Sequence, residues 1–141
     1  AEGLVKVFGD ANSLTIRVAG SAMFGSGSDK LSKGYEEKIV RLAKSLNDQP
    51  GRIIVVGHSD NVPIKTSRFP SNEVLSLKRA ESVLKVMIAH MDDGARLTAE
   101  GRADKQQLGD PTTEEGRAFN NSREGRAENR RIEIMLMKAE N

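Results

Sequence analysis

The residues with the most chemical potential sit together in Gly57-His58-Ser59-Asp60-Asn61. An apolar run, Ile53 to Val56, leads into them. A strand that runs into Gly-x-Ser is how the turn exposing a nucleophilic serine begins. That turn needs G-x-S-x-G, because the second glycine lets the backbone bend sharply and a helix pack behind the serine. Here Asn61 stands where that glycine belongs, and Val62-Pro63-Ile64 cannot open a helix at once. The other histidine, His90, falls at the C-terminal end of a helical pattern and makes a poor base for Ser59. The pattern therefore excludes a serine hydrolase, and the chain reads as non-enzymatic. Two histidines without any cysteine give no metal-ligand spacing. No metal or cofactor is expected. His58 reads as a structural residue bonded to backbone at a strand end. Asp60 remains. It lies just past the carboxyl end of a parallel strand, where open α/β sheets place ligands, or else caps a turn.

A second cluster follows in "RFPSNEVLSLKRAESVLKVM". Pro70 suits the approach to a helix, and Ser71-Asn72 suit its cap. Asn72, Leu75, Ser76, Arg79, Ala80 and Val83 form N-x-x-L-S-x-x-R-A-x-x-V. Leu75 and Val83 pack inward, Ala80 permits a close approach to a sheet, and Arg79 emerges about two turns into the helix.

These groups need elements to hold them. "LVKVF" and "SLTIRVAG" alternate apolar and polar residues around the turn Gly9–Asn12, which reads as a β-hairpin over residues 1–20. "GSGSDK" reads as a flexible loop ending in a helix cap at Ser28. Leu31, Tyr35, Ile39, Leu42 and Leu46 make one stripe of an amphipathic helix over Ser28–Leu46. "RIIVVG" suits a central strand covered on both faces. Leu77, Ala80, Leu84, Met87 and Met91 mark a second helix over Ser71–Met91. "RLTAEGRAD" begins as a strand, and "RRIEIMLMK" is the last strand. Residues 105–129 have little to bury and read as a mobile surface loop. This loop carries a duplication, "EGRAFN" at Glu115–Asn120 and "EGRAEN" at Glu124–Asn129. The result is an α/β (α+β) two-layer sandwich: a β-α-β-α-β-β mixed sheet, two helices on one face and an extra N-terminal β-hairpin.

The chain has 141 residues, enough for one domain, residues 1–141. A net charge of +2, with no Trp, one Tyr and four Phe, argues against nucleic acid as a partner. Without cysteine the chain is indifferent to the redox state of its compartment. No apolar run approaches the roughly 18 residues of a membrane span. The start at Ala1-Glu2-Gly3 suggests an excised domain with any anchor upstream.

Taken together, "GHSDN", N-x-x-L-S-x-x-R-A-x-x-V and "GRAENRRIEI" resemble the OmpA-like peptidoglycan-binding domain of outer membrane protein A, the Pal lipoprotein and the flagellar stator protein MotB. The likeness covers about Ala22 to Met137. "LTAEGRAD" and the hairpin look most like the periplasmic C-terminal domain of long-form TssL, a component of the type VI secretion system. "FPSN-x-x-LS" is shared with MotB. The resemblance implies a non-catalytic module that binds meso-diaminopimelate in the stem peptide. Asp60 would take the ammonium and Arg79 the carboxylate. Asn72 and Ser59 would line the same pocket, and Arg130 or Arg131 would lie nearby because the last strand is central in this fold. It further implies a periplasmic domain of an inner-membrane protein in a Gram-negative bacterium, with other secretion-complex envelope proteins as partners, an upstream membrane anchor, and room for a homodimer. Two alternatives stay open: a MotB-like stator anchor, and a dimerisation or protein-interaction domain that no longer binds peptidoglycan. Ser59 replaces the usual Thr. Glu73 replaces a Trp common in TssL and puts an acidic group beside the pocket. Gly125–Asn129 reads as the functional copy of the duplication.

Overall fold

The apolar run at the centre of the sequence becomes the strand that organises the sheet. A computed structural model describes residues 5–138. The strands are β1 (Val5–Gly9), β2 (Ser13–Ala19), β3 (Gly51–His58), β4 (Leu97–Ala103) and β5 (Arg131–Lys138). They form one sheet in the order β1-β2-β5-β3-β4. β3 and β4 are parallel, and the other pairings are antiparallel. The mixed sheet and N-terminal hairpin are as expected, and β5 is indeed central. Leu4, assigned to the first strand from its pattern, lies outside the described residues.

Side chains alternate along β3 and β5, so each strand serves two faces. Ile53 and Val55 of β3, with Ile132, Ile134 and Leu136 of β5, meet the helices. The helices α2 (Lys33–Asn47) and α3 (Asn72–Ile88) answer with Ile39, Ala43 and Leu46, and with Ala80, Val83 and Met87. On the opposite face lie Val56, His58, Arg131 and Glu133, all buried. Arg131 and Glu133 stand opposite His58 and Val56 in the β3–β5 register.

Small residues set how closely α3 approaches. A Cβ on Gly57 would lie 2.8 Å from the Ser76 carbonyl carbon, and one on Gly101 would lie 2.8 Å from Leu77 Cα. Gly57 therefore serves helix packing instead of a nucleophile turn. Ser71 caps α3 as expected, its side chain accepting from Val74 N–H.

Two expectations need correction, at Ser28 and over residues 105–129, and a short helix forms where no element was expected. Ser28 does not cap α2, which begins at Lys33 after Ser32. Ser28 stays in the loop, where its hydroxyl accepts from Lys30 N–H. "GSAM" forms a short helix, α1 (Gly20–Met23), and Met23 and Phe24 are buried. Residues 105–129 are not a loop throughout, since they contain α4 (Glu114–Asn121) and α5 (Arg123–Asn129). Each copy of the duplication is one helical turn-unit with the same parts. Thr113 and Ser122 cap Gly116 and Gly125, and Asn120 and Asn129 end the copies buried. Asn120 Oδ1 accepts from Gly109 N–H and from Asn129 Nδ2, while Asn129 Oδ1 accepts from Leu108 N–H. Polar satisfaction holds these helices together where apolar area is scarce.

Candidate functional site

Where β3 ends, the chain turns at Ser59–Asn61, and the turn faces the start of α3 and the 20–28 segment. A cleft of about 670 Å³ opens there. Asp60, Arg79, Asn72, Ser59 and Arg130 all line it, together with Phe24, Gly25, Val62, Pro63 and Ile64. Asp60 and Arg79, 19 positions apart in sequence, thus share one cavity wall. Three elements bring this about: the β3 end supplies Asp60, α3 supplies Asn72 and Arg79, and the junction of α5 with β5 supplies Arg130.

Each group is held by identifiable bonds. Asp60 Oδ1 accepts from Val62 N–H at 2.9 Å, which closes an Asx turn. Its Oδ2 accepts from Arg130 Nη1 at 2.5 Å. Asn72 Nδ2 donates to the Val62 carbonyl at 2.8 Å, tying the turn to the first residue of α3. Asn61 donates to Asn121 and accepts from Arg126 Nε, so α4 and α5 brace the turn from the other side. Ser59 is buried, and its hydroxyl donates to the Asp60 carbonyl. That hydroxyl has no histidine beside it: His58 Nε2 points to the opposite sheet face, 2.7 Å from Glu133 Oε1.

Arg79 is the most constrained group in the cleft. Its Nε donates to the Ser28 carbonyl at 2.7 Å and its Nη2 to the Gly25 carbonyl at 3.1 Å. The guanidinium lies 5.0 Å from the Phe24 ring centroid. The Nε side of the fork is therefore committed to the loop, and the Nη1 end remains for an anion. Burial pulls the Arg79 pKa down, and Arg130 adds to this; Asp29 and Asp60 pull it back up. A group that starts so high still stays cationic at neutral pH.

Two sequence expectations fail here. Arg131 does not line the cleft. It begins β5 with its side chain on the opposite face, only 4% exposed. There it donates to the Gln106 and Asn129 carbonyls and faces Glu133. Strand alternation separates it from Arg130, which precedes the strand. Glu73 does not line the cleft either; it is exposed and faces Lys105 at 3.8 Å. His58 corrects a third reading, because its partner is a side chain, Glu133, and its Nδ1 has none among the described residues.

The 20–28 segment contributes what side-chain reading missed. Its glycines and carbonyls wall the cleft and grip Arg79. Gly20 N–H also donates to the Arg130 carbonyl at 2.7 Å, and a Cβ on Gly20 would press on that carbonyl.

The chain is similar to known proteins in sequence and in fold. A model of the OmpA family matches residues 23–121. Motility protein B of Bacillus subtilis is 32% identical over 130 residues, covering 88% of this chain and 45% of that protein. Outer membrane protein Omp38 of Acinetobacter baumannii is 33% identical over 99 residues, covering 69% of this chain and 27% of that protein. The chain spans about half the length of Motility protein B. Among solved structures, the cell wall anchor of the T6SS from Pseudomonas aeruginosa superposes with a TM-score of 0.85 at 35% identity. That match covers 98% of this chain and 90% of the other. A putative MotB-like protein from Desulfovibrio vulgaris gives 0.83 at 28% identity, covering 98% and 83%.

Proposed function

This chain belongs to the OmpA family, and from that we propose that it is a non-catalytic peptidoglycan-binding module that reads meso-diaminopimelate in the stem peptide and anchors an envelope-spanning machine to the cell wall. The observation that carries this reading is the shared cleft of Asp60 and Arg79. The distal end of diaminopimelate bears an ammonium and a carboxylate on one carbon. Asp60 takes the ammonium. Arg79 takes the carboxylate on its Nη1 end, already aimed by the Ser28 and Gly25 carbonyls. Asn72 and Ser59 hold the turn, and Arg130 completes the polar wall. Arg131 has no part in it.

The machine is the type VI secretion membrane complex. Likeness to the T6SS cell wall anchor, at 35% identity over 98% of this chain, supports that choice. The domain is then periplasmic, carried by a membrane anchor outside residues 1–141, with other secretion-complex proteins as partners. A stator anchor is the second reading, favoured by the 32% identity to Motility protein B.

Sedimentation with purified diaminopimelate-type sacculi tests the function. Wild type is expected in the pellet, while Asp60→Ala and Arg79→Ala stay in the supernatant with near-native melting. Folded variants that pellet like wild type would leave the interaction-domain alternative as the better account.

A further inference from the structure

A ligand ammonium needs an acceptor on Asp60, and both Asp60 oxygens already have partners. Oδ1 takes the Val62 N–H and Oδ2 takes Arg130. The two partners differ in kind. The Val62 bond is made by main chain and is part of the turn. Arg130 is fixed only through its backbone: its N–H donates to the Arg126 carbonyl at 3.1 Å, and its carbonyl accepts from Gly20. Its guanidinium makes no other hydrogen bond among the described residues, so one of five N–H groups is used. The side chain is 44% exposed, against 11% for Asp60. It can leave Asp60 without breaking any element of the fold. Arg79 cannot move in this way, because two loop carbonyls hold it.

We propose that Arg130 is an exchangeable stand-in for the ligand's ammonium and the second reader of its carboxylate. On binding, the ammonium replaces the guanidinium at Asp60 Oδ2, and Arg130 turns to the carboxylate held by Arg79. The inference rests on the peptidoglycan reading and adds a specificity rule to it. The cleft lining holds two guanidinium groups and one carboxylate. An amino-acid head supplies a partner for each displaced charge. An amine alone displaces Arg130 and offers it nothing in return, leaving two like charges close together. Arg130 thus penalises ligands that have the ammonium without the carboxylate, such as a stem peptide whose diaminopimelate carboxyl is amidated.

The test uses two muropeptides differing only at that carboxyl, free or carboxamide, titrated calorimetrically into wild type, Arg130→Ala and Arg130→Gln. Wild type is expected to bind the free form roughly tenfold tighter or more. In both variants the amidated form should bind tighter than it binds wild type, and the preference should fall to about threefold or less. The second variant guards against a local folding defect in the first, and matching melts establish that both are folded. Equal loss for both ligands, or no change for either, overturns the exchange while leaving the peptidoglycan reading standing. Failure of wild type to bind either muropeptide overturns both.

Discussion

Gly57 lies directly beneath Ser76: a Cβ there would sit 2.8 Å from the Ser76 carbonyl carbon and closer still to its oxygen. That contact sets the seating of α3 on β3, and α3 carries Asn72 and Arg79 into the cleft. Gly57→Ala therefore pushes backbone against backbone. The expected cost is at the upper end for overpacking, about 3 kcal/mol, read as a fall in melting temperature of roughly 6–12 °C. Unchanged melting would mean that α3 is seated by something else.

The grip on Arg79 separates charge from geometry. Arg79→Lys keeps the cation but cannot make both bonds to the Ser28 and Gly25 carbonyls. Sacculus binding should fall by about tenfold or more, and amide exchange across residues 25–28 should quicken. Retained binding in Arg79→Lys would show that a point charge suffices.

The opposite face of the sheet governs acid stability. Burial alone would raise the Glu133 carboxyl, but the His58 bond, the Arg131 and His58 charges and the Arg17 bond outweigh it and hold the pKa at about 2. Burial lowers His58; the Glu133 bond and charge oppose this, and Arg131 and Arg102 reinforce it. Both shifts act in the same sense. Glu133 contributes stability that is complete above its unfolded value and is lost as pH falls from about 4.5 toward 2. Because its pKa is depressed in the folded state, His58 likewise contributes stability that is lost as pH falls below about 6.5. Melting temperature should therefore drop steadily on acidification. Glu133→Gln, which leaves Arg131 buried without its counter-charge, should cost about 3 kcal/mol and flatten the acid limb. An unchanged acid limb in that variant would contradict the assignment.

Asn129 is fully buried and supplies the acceptor for Leu108 N–H and the donor for Asn120. Asn129→Ala leaves Leu108 N–H without its acceptor and takes one of two donors from Asn120 Oδ1, which keeps Gly109 N–H; it should destabilise by about 2 kcal/mol, with faster amide exchange through residues 108–129. Slow exchange there would show that α4 and α5 are held by other means.

The parts of the fold that were legible share a physical cause. Apolar stripes over Leu31–Leu46 and Leu77–Met91, and the run Ile53–Val56, leave a period in the sequence because burial demands one. Asp60, Asn72 and Arg79 are legible through a motif that resembles that of a known family, and they do share a cleft. The misses had no apolar period to reveal them. α4 and α5 are built on caps, close glycine approaches and an Asn120–Asn129 bond, so their sequence looks like a polar loop. Arg130 and Arg131 adjoin in sequence, yet a strand sends them to different places. The 20–28 segment works through main-chain carbonyls, which no side-chain pattern encodes. Glu73 is close to the cleft residues in sequence alone, and it faces Lys105 instead.

The most direct measurement is co-sedimentation of the chain with diaminopimelate-type sacculi beside lysine-type sacculi stripped of secondary polymers. The lysine side chain offers the ammonium for Asp60 but no carboxylate for Arg79. Retention is expected on the diaminopimelate wall and little on the lysine wall, with Asp60→Asn losing the former despite its near-identical shape. Equal retention on both walls, or binding undiminished in Asp60→Asn, would contradict that expectation.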